Sequence, residues 1–203
     1  GYRNLKHFYL FYVCKHMTNE FPCLVSYNRF VELQQKVVFP LVLFLKMCRM
    51  GECTGISFVD STALKVCHIK REHQNKVFDG IATKGNGTLG WFFGFKLHII
   101  INDKGEILNF VITQGNTDDR QPLYSKEFTQ SVFGKLFGDR GYISQKLQEF
   151  LFVDGIQLIT KMRNNMKGGE IPLKDKLILR KRAVIESVND ELKNICQIEH
   201  TRH

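Results

Sequence analysis

The stretch that decides the fold is Lys135–Ser144, Lys-Leu-Phe-Gly-Asp-Arg-Gly-Tyr-Ile-Ser. Its short apolar run, Leu136-Phe137, ends at a glycine, and an apolar run bounded in this way is typical of a buried strand. Asp139 therefore follows the carboxyl end of a strand, where a carboxylate is costly to bury without a partner. In α/β folds that edge is also where ligands bind. We interpret Asp139 as one member of a metal-binding carboxylate set.

The charge of the chain favours an acidic polymer as its partner. The 203 residues carry a formal net charge of +9 that is spread along the chain and not held in a tail. Nucleic acid is the first expectation, a membrane surface the second, and a charge that only maintains solubility is the alternative. The longest apolar run, Val37–Leu45, is too short to span a bilayer and contains Pro40. The chain is therefore not expected to cross a membrane, and the partner that we predict is nucleic acid and not a membrane.

The cysteines and the chain ends give weaker indications. Six cysteines at irregular spacings, with no recognisable export signal, are expected to be reduced thiols of a cytosolic protein. A zinc site among Cys48, Cys53, Cys67, His68 and His73 is disfavoured because no Cys-x-x-Cys pair is present. The chain starts at Gly1 without Met, and we expect it to be a fragment of a longer reading frame.

The hydrophobic periodicity divides the chain at about residue 50. Residues 1–50 are predicted to be helical, with Ser26 capping a second helix that Pro40 interrupts or restarts. This basic, aromatic segment is either a DNA-binding element or a plain helical cap on the domain after it. Residues 51–203 are predicted to form the catalytic domain.

Five strands are predicted after residue 50, and their order indicates a ribonuclease H-like fold. The first ends at Asp60 with Ser61-Thr62 as a turn, and residues 65–90 are expected to form a long loop. The predicted strands are Thr54–Asp60, Trp91–Ile101, Glu106–Thr113, Leu136–Asp139 and Ile156–Thr160. Helices are expected up to about Val132, after Ser144, and from Leu177 to Ile195, with a basic loop over Lys161–Lys174. The expected class is α/β, a mixed five-stranded sheet with flanking helices, preceded by a small helical segment.

Three acidic residues fall where this fold would bring them together. Asp60 and Asp139 end neighbouring strands, and Glu186 lies beside the apolar stripe of the last helix, which is formed by Ile185, Val188, Leu192 and Ile195. Such a set suits Mg²⁺ or Mn²⁺, and two ions could clamp the attacking and leaving oxygens of a phosphoryl transfer. Taken singly, Asp60 could be a turn residue, Asp139 an ion-pair partner of Arg140, and Glu186 a surface-helix partner of Arg182.

Several segments resemble the DDE transposases of bacterial insertion sequences, most closely insertion-sequence family 982. The matching segments are 58–62, 91–98, 115–120, 138–142 and 182–186. The resemblance implies a ribonuclease H-like core with Asp60, Asp139 and Glu186 as the catalytic and metal-binding triad. Related transposases carry a Tyr, Arg, Glu, Lys signature, which Arg182, Glu186 and Lys193 match while Leu179 stands at the Tyr position. The predicted DNA contacts are Arg140, Arg182, Lys193, His98, Asn116 and Lys161.

The expected function is metal-dependent cleavage and strand transfer of insertion-sequence DNA. The resemblance implies double-stranded DNA as the partner, both terminal inverted repeats and target, and a homo-oligomer assembled on it in the bacterial cytoplasm at the nucleoid. Two alternatives remain open: a structure-specific nuclease of the same fold, and a truncated DNA-binding remnant without activity.

Overall fold

The computed structural model describes residues 2, 4–87, 90–161 and 172–199. The chain forms two compact units, Gly1–Arg49 and Met50–His203. Most of the basic loop predicted over Lys161–Lys174 lies outside the described residues. Within the described ranges, no helix combines the length and apolar character that a membrane crossing requires.

The N-terminal unit is helical, as predicted. Helices α1 (Leu5–Phe8) and α2 (Cys14–His16) flank a π-helical turn at Tyr9–Val13, and α3 spans Tyr27–Cys48. Ser26 caps α3 by accepting a hydrogen bond from the backbone N–H of Arg29. The prediction that Pro40 interrupts this helix is wrong, because α3 continues through it. No residue of α3 is buried, so the carbonyl that a proline leaves unpaired can be hydrated.

The second unit is built on one mixed sheet, which confirms the predicted α/β class. Its strands are β1 (Ile56–Cys67), β2 (Thr83–Gly87), β3 (Gly90–Asn102), β4 (Ile107–Gln114), β5 (Gly134–Gly138) and β6 (Ile156–Thr160). Antiparallel pairing joins β1 to β3, while β5 runs parallel to β1 and β6 parallel to β5. On its other edge β3 pairs with β2 at its start and with β4 further along. The five predicted strands thus occur in the order typical of the ribonuclease H-like fold.

The predicted loop over residues 65–90 is the main error in the strand assignment. The chain instead continues β1 to Cys67 and adds β2, a sixth strand that forms a hairpin with β3. Glycines are typical of a loop, but here they allow backbones to approach closely. A Cβ on Gly85 would lie 2.1 Å from the carbonyl oxygen of Gly115, and one on Gly94 would lie 2.1 Å from that of Leu64.

Helices cover both faces of the sheet. Helix α5 (Gln145–Val153), capped by Ser144, buries Leu147 and Leu151 against one face. Between β4 and β5 the predicted helix is reduced to a 3₁₀ turn and α4 (Lys126–Thr129). The predicted final helix is divided into α6 (Leu173–Arg180), α7 (Ala183–Asp190) and a π-helical turn at Glu191–Ile195.

Helix α7 packs against the opposite face through Ile185, which is fully buried beside Phe58 and Phe137. Val188 and Leu192 also pack there, but Ile195 is 76% exposed, so the predicted apolar stripe ends one position early. The π-helical turn accounts for this, because its wider winding rotates later residues away from the sheet. Alternate residues of β1, β3 and β5 point into these two cores, so the central strands are covered on both sides.

Candidate active site

Asp60 lies within β1, and the predicted turn after it is wrong. Asp60, Ser61 and Thr62 continue in antiparallel register opposite Ile99, His98 and Leu97 of β3. On its other edge β1 pairs with β5 only as far as Phe58, opposite Phe137. Strand β5 continues for only one more residue, Gly138, which does not pair with β1, so the edge of β1 at Asp60 has no strand beside it on this side. The interpretation of Asp60 as a simple turn residue is therefore also wrong.

Asp139 directly follows β5, and Glu186 projects from α7. Strand β1, which carries Asp60, and strand β5, which Asp139 follows, are adjacent and parallel. Asp60 and Asp139 therefore lie in the same region of the sheet edge. The side chain of Glu186 is 64% exposed. All three carboxylates line one cleft of about 550 Å³, which we call the carboxylate cleft.

Asp60 is held from two sides by residues of the last helical segment. Asn189, itself buried, donates a hydrogen bond from Nδ2 to Asp60 Oδ2 at 3.1 Å. The Arg182 guanidinium lies 3.9 Å from Asp60 Oδ1 and 3.4 Å from Glu186 Oε1. Arg182 therefore supplies positive charge between two of the three carboxylates.

The pKa of Asp60 is raised from 3.8 to about 6. Burial is the largest cause, since removing a carboxylate from water disfavours its charged form. Arg182 and the backbone N–H of Ser61 oppose this rise, while the negative charges of Asp139 and Glu186 add to it. The three carboxylates are thus close enough to influence one another electrostatically, and Asp60 lies where a cation would be favoured.

Two simple interpretations remain, an ion pair of Asp139 with Arg140 and a helix pair of Glu186 with Arg182, and the local interactions distinguish them. Asp139 Oδ1 accepts a hydrogen bond from the backbone N–H of Gly141 at 2.8 Å and caps a 3₁₀ turn at Arg140–Tyr142. Among the ion pairs of the described residues, none joins Asp139 to Arg140. The helix pair between Arg182 and Glu186 is present.

The donor set fits a hard divalent cation in its chemistry, because carboxylate oxygens are the ligands that Mg²⁺ and Mn²⁺ prefer. Across the described parts of the chain, no three His, Cys, Asp or Glu side chains are gathered closely enough to form a ready-made metal site. The cysteines and histidines of the disfavoured zinc set are likewise not gathered into such a site, and all six cysteines are free thiols. In the structure the charge of the carboxylates is partly balanced by Arg182.

Four of the six predicted DNA contacts line a cleft beside the carboxylates. Arg182 and Lys193 line the carboxylate cleft, with Lys193 3.3 Å from Glu199. Arg140 and Lys161 line a second cleft of about 410 Å³, which shares Asp139, Arg182 and Glu186 with the first. We call this second cleft, with Arg140, Lys161 and Arg180 on its walls, the basic cleft.

Asn116 and His98 are the other two predicted contacts. Asn116 is exposed, and its Oδ1 accepts a hydrogen bond from Thr83 Oγ1 at 3.0 Å. The prediction for His98 is wrong: its side chain is fully buried and bonded through Nε2 to Thr113 Oγ1 at 2.8 Å, so it does not reach the surface. Burial lowers the pKa of His98 from 6.5 to about 4.

Sequence reasoning missed several residues of the carboxylate cleft. Lys96 is bonded to Asp119 Oδ1 at 2.8 Å, and both line the cleft. Tyr142 also lines it, and burial together with nearby Asp60 raises its pKa well above the usual 10. The segments at 91–98 and 115–120 were recognised as motifs, but only their fold shows that Lys96 and Asp119 meet.

Comparisons with known proteins place the chain among transposases. No curated protein matches it. Among solved structures it is similar to a piggyBac transposase synaptic complex with hairpin DNA, at a TM-score of 0.42 and 16% identity over 69% of this chain and 29% of that one. It is also similar to a simian T-cell lymphotropic virus intasome in complex with PP2A regulatory subunit B56 gamma, at a TM-score of 0.37 and 14% identity over 71% of this chain and 41% of that one. The chain spans less than half the length of either structure. The family described as Transposase DDE domain matches residues 50–203, and the chain belongs to that family.

Proposed function

We propose that the chain catalyses metal-dependent cleavage and strand transfer of insertion-sequence DNA. The observation that carries the proposal is the convergence of Asp60, Asp139 and Glu186 on one cleft from a strand, a strand end and a helix. Family membership supports a DNA cleavage and transfer enzyme. The assignment to insertion-sequence family 982 remains part of this proposal.

The three carboxylates would hold Mg²⁺ or Mn²⁺, in keeping with the general use of divalent metal ions by DDE transposases. When bound, two such ions would activate the attacking oxygen and stabilise the leaving oxygen of phosphoryl transfer. Asn189 would keep Asp60 in one orientation. Arg182 and Lys193 would exchange carboxylate contacts for phosphate contacts, for which a guanidinium is well suited.

DNA would also contact Arg140, Lys161 and Asn116, all of which are exposed. We further propose that residues 1–50 contribute to DNA binding and that copies of the chain assemble on paired DNA ends. The net charge of +9 supports a polyanionic partner.

The test compares Asp139→Asn with Asp79→Asn as a matched control. Asp79 is exposed and lines neither cleft, so its substitution makes the same change in charge away from the site. Asp139→Asn should abolish Mg²⁺-dependent strand cleavage, and Asp79→Asn should retain it. Cleavage that persists in Asp139→Asn would refute the assignment of the site.

Two further measurements separate the alternatives. A nuclease of the same fold would cut DNA but would not join pre-cut ends to a target, so the absence of joined product alongside cleavage would favour it. A DNA-binding remnant would bind duplex DNA tightly and show no Mn²⁺ binding in a calorimetric titration.

A further inference from the structure

The carboxylate cleft contains a buried polar group that the protein itself does not satisfy. Tyr142 is 1% exposed, and its buried hydroxyl has no hydrogen-bond partner within the described residues. Tyr142 lines the cleft together with Asp60 and Asp139. Because a buried hydroxyl without a partner destabilises a folded protein, its presence at this place indicates a partner that comes from outside the chain.

The ring of Tyr142 is held in place by the end of β5 and the turn after it. Asp139 caps the 3₁₀ turn at Arg140–Tyr142, and the backbone N–H of Tyr142 donates a hydrogen bond to the carbonyl oxygen of Asp139 at 3.2 Å. This turn returns the ring to the sheet, where it belongs to the same core as Val59. A Cβ on Gly138 would lie only 3.1 Å from the ring. The hydroxyl is therefore fixed at the cleft and cannot turn toward a partner elsewhere.

The polar end of Tyr142 lies among the negative charges of the cleft. Burial raises the pKa of Tyr142 well above its usual value, and the charges of Asp60, Asp119 and Asp139 raise it further. The phenol stays protonated at neutral pH and can donate a hydrogen bond. Ser61 is close enough to oppose the rise in pKa, but no hydrogen bond within the described ranges reaches the Tyr142 oxygen.

The two carboxylates nearest in the fold already accept hydrogen bonds from other donors. Asn189 donates to Asp60 Oδ2. The backbone N–H of Gly141 donates to Asp139 Oδ1. The Tyr142 hydroxyl can then be satisfied by an oxygen atom of a ligand that the carboxylates themselves bind. Such a cleft attracts the water molecules of a hydrated Mg²⁺ or Mn²⁺ ion and the phosphoryl oxygens that approach it.

We propose that Tyr142 is a further ligand-binding residue of the carboxylate cleft, whose hydroxyl donates a hydrogen bond to a ligand oxygen held beside Asp60. That oxygen belongs either to a water molecule of the metal site or to a phosphate group of DNA, and in both cases the hydroxyl stabilises its negative charge. The inference rests on the proposed function, because a cleft that binds metal and DNA supplies such an oxygen. It adds a neutral donor to a site otherwise built from charged groups and Asn189.

The experiment compares Tyr142→Phe with Tyr124→Phe. The first substitution removes only the hydroxyl and leaves the packed ring in place. Tyr124 is exposed and lines neither cleft, so its substitution makes the same chemical change away from the site. The full chain is used for three measurements: the urea midpoint in the presence of a chelator, the Mn²⁺ affinity without DNA by calorimetric titration, and the rate of Mn²⁺-dependent cleavage. The cleavage substrate is a DNA end taken from the sequence that flanks the reading frame.

Tyr142→Phe should leave the urea midpoint of the metal-free protein at or above that of the wild type, because no protein group loses a hydrogen bond. If the partner of the hydroxyl is a water molecule of the metal site, the Mn²⁺ affinity should fall about tenfold. If the partner is a phosphoryl oxygen, the Mn²⁺ affinity should be unchanged and cleavage at saturating Mn²⁺ should slow about a hundredfold. Tyr124→Phe should match the wild type in all three measurements.

A lower urea midpoint in Tyr142→Phe would show that a protein group such as Ser61 binds the hydroxyl. Wild-type values of both the Mn²⁺ affinity and the cleavage rate would show that no ligand does. Either result would overturn the inference and leave the proposed function intact. A wild-type protein that neither binds Mn²⁺ nor cleaves DNA would instead refute the proposed function, and the inference with it.

Discussion

Asp60→Asn is predicted to stabilise the metal-free protein while abolishing its proposed activity. The pKa of Asp60 is raised from 3.8 to about 6, so keeping this group ionised at neutral pH costs the folded state free energy. This difference between the unfolded and folded pKa values corresponds to about 3 kcal/mol in the free energy of unfolding. The Asp60 side chain is only 18% exposed, which leaves little solvent screening to reduce that value. Asparagine retains an oxygen that can accept the hydrogen bond from Asn189.

The pH dependence of this effect has a definite sign. Because the folded pKa of Asp60 lies above the unfolded value, the folded state binds more protons between about pH 4 and pH 6. The stability linked to Asp60 is fully present below the unfolded pKa and is lost as pH rises through about 6. The free-energy difference between Asp60→Asn and wild type should therefore be small near pH 4 and approach its full value at about pH 7.

His98 titrates over the same range with the opposite sign. Its folded pKa of about 4 lies below the usual 6.5, so the stability linked to it rises with pH over this interval. The two effects partly cancel in the wild type. Subtracting the wild-type curve from that of Asp60→Asn removes the His98 contribution and isolates Asp60.

The assay is urea unfolding in the presence of a chelator, repeated across pH, with Asp79→Asn as the control at an exposed carboxylate. Asp139, Glu186 and Arg182 face Asp60 and remain in place in both proteins. An Asp60→Asn protein that is less stable than wild type at pH 7, or a difference that does not grow with pH, would refute the reasoning. Added Mg²⁺ should stabilise wild type more than Asp60→Asn, because a ligand that binds only the folded state adds to its stability.

Two other substitutions test interactions that support the site. Lys135→Met leaves the carboxylate of Asp175, which is 3% exposed and 2.6 Å from Lys135 Nζ, without its partner. Urea unfolding should show a loss of about 2–3 kcal/mol, less than for a fully buried pair because Lys135 is 38% exposed. Adding Asp175→Leu should recover most of it, and a failure to recover would contradict the role of the pair. Asn189→Ala removes the hydrogen bond to Asp60 and should slow metal-dependent cleavage by about tenfold or more without changing duplex affinity. A parallel loss of DNA affinity would argue against a positioning role.

Local signals account for the parts of the fold that the sequence predicted well. Strand β6 has the bounds expected from the run Ile156–Thr160, and Ser144 caps α5 as its position before an apolar repeat suggested. Strand β2 was missed because its glycines are typical of a loop. What requires glycine at Gly85 is the backbone of Gly115, thirty residues away in sequence, and such a contact has no local signal.

The burial of His98 shows a second limit. The predicted DNA contact at His98 requires a solvent-facing side chain, as on a sheet with one open face, where His98 would alternate with the apolar residues of β3. Because both faces of the central strands are covered, the alternation separates two buried faces instead, and the imidazole is accommodated through its bond to Thr113. Periodicity alone cannot distinguish a sheet with one exposed face from a sheet covered on both faces. It indicates on which face a side chain lies, but not whether another element covers that face.

The sequence predicted that Asp60 lies beside Asp139 because strand β1 would end at Asp60. That reason is wrong, but the two residues line the same cleft without it. The prediction placed Asp60 at the end of β1, whereas β1 continues along β3 for several residues. Pairing between β1 and β5 stops at Phe58 and Phe137, so no strand lies beside Asp60 on the side of β5. The end of β5 was the feature the sequence marked clearly, with Gly138 and Asp139 closing an apolar run. The meeting of Asp60 and Asp139 in one cleft therefore follows from the length of the neighbouring strand, and extending β1 does not separate them.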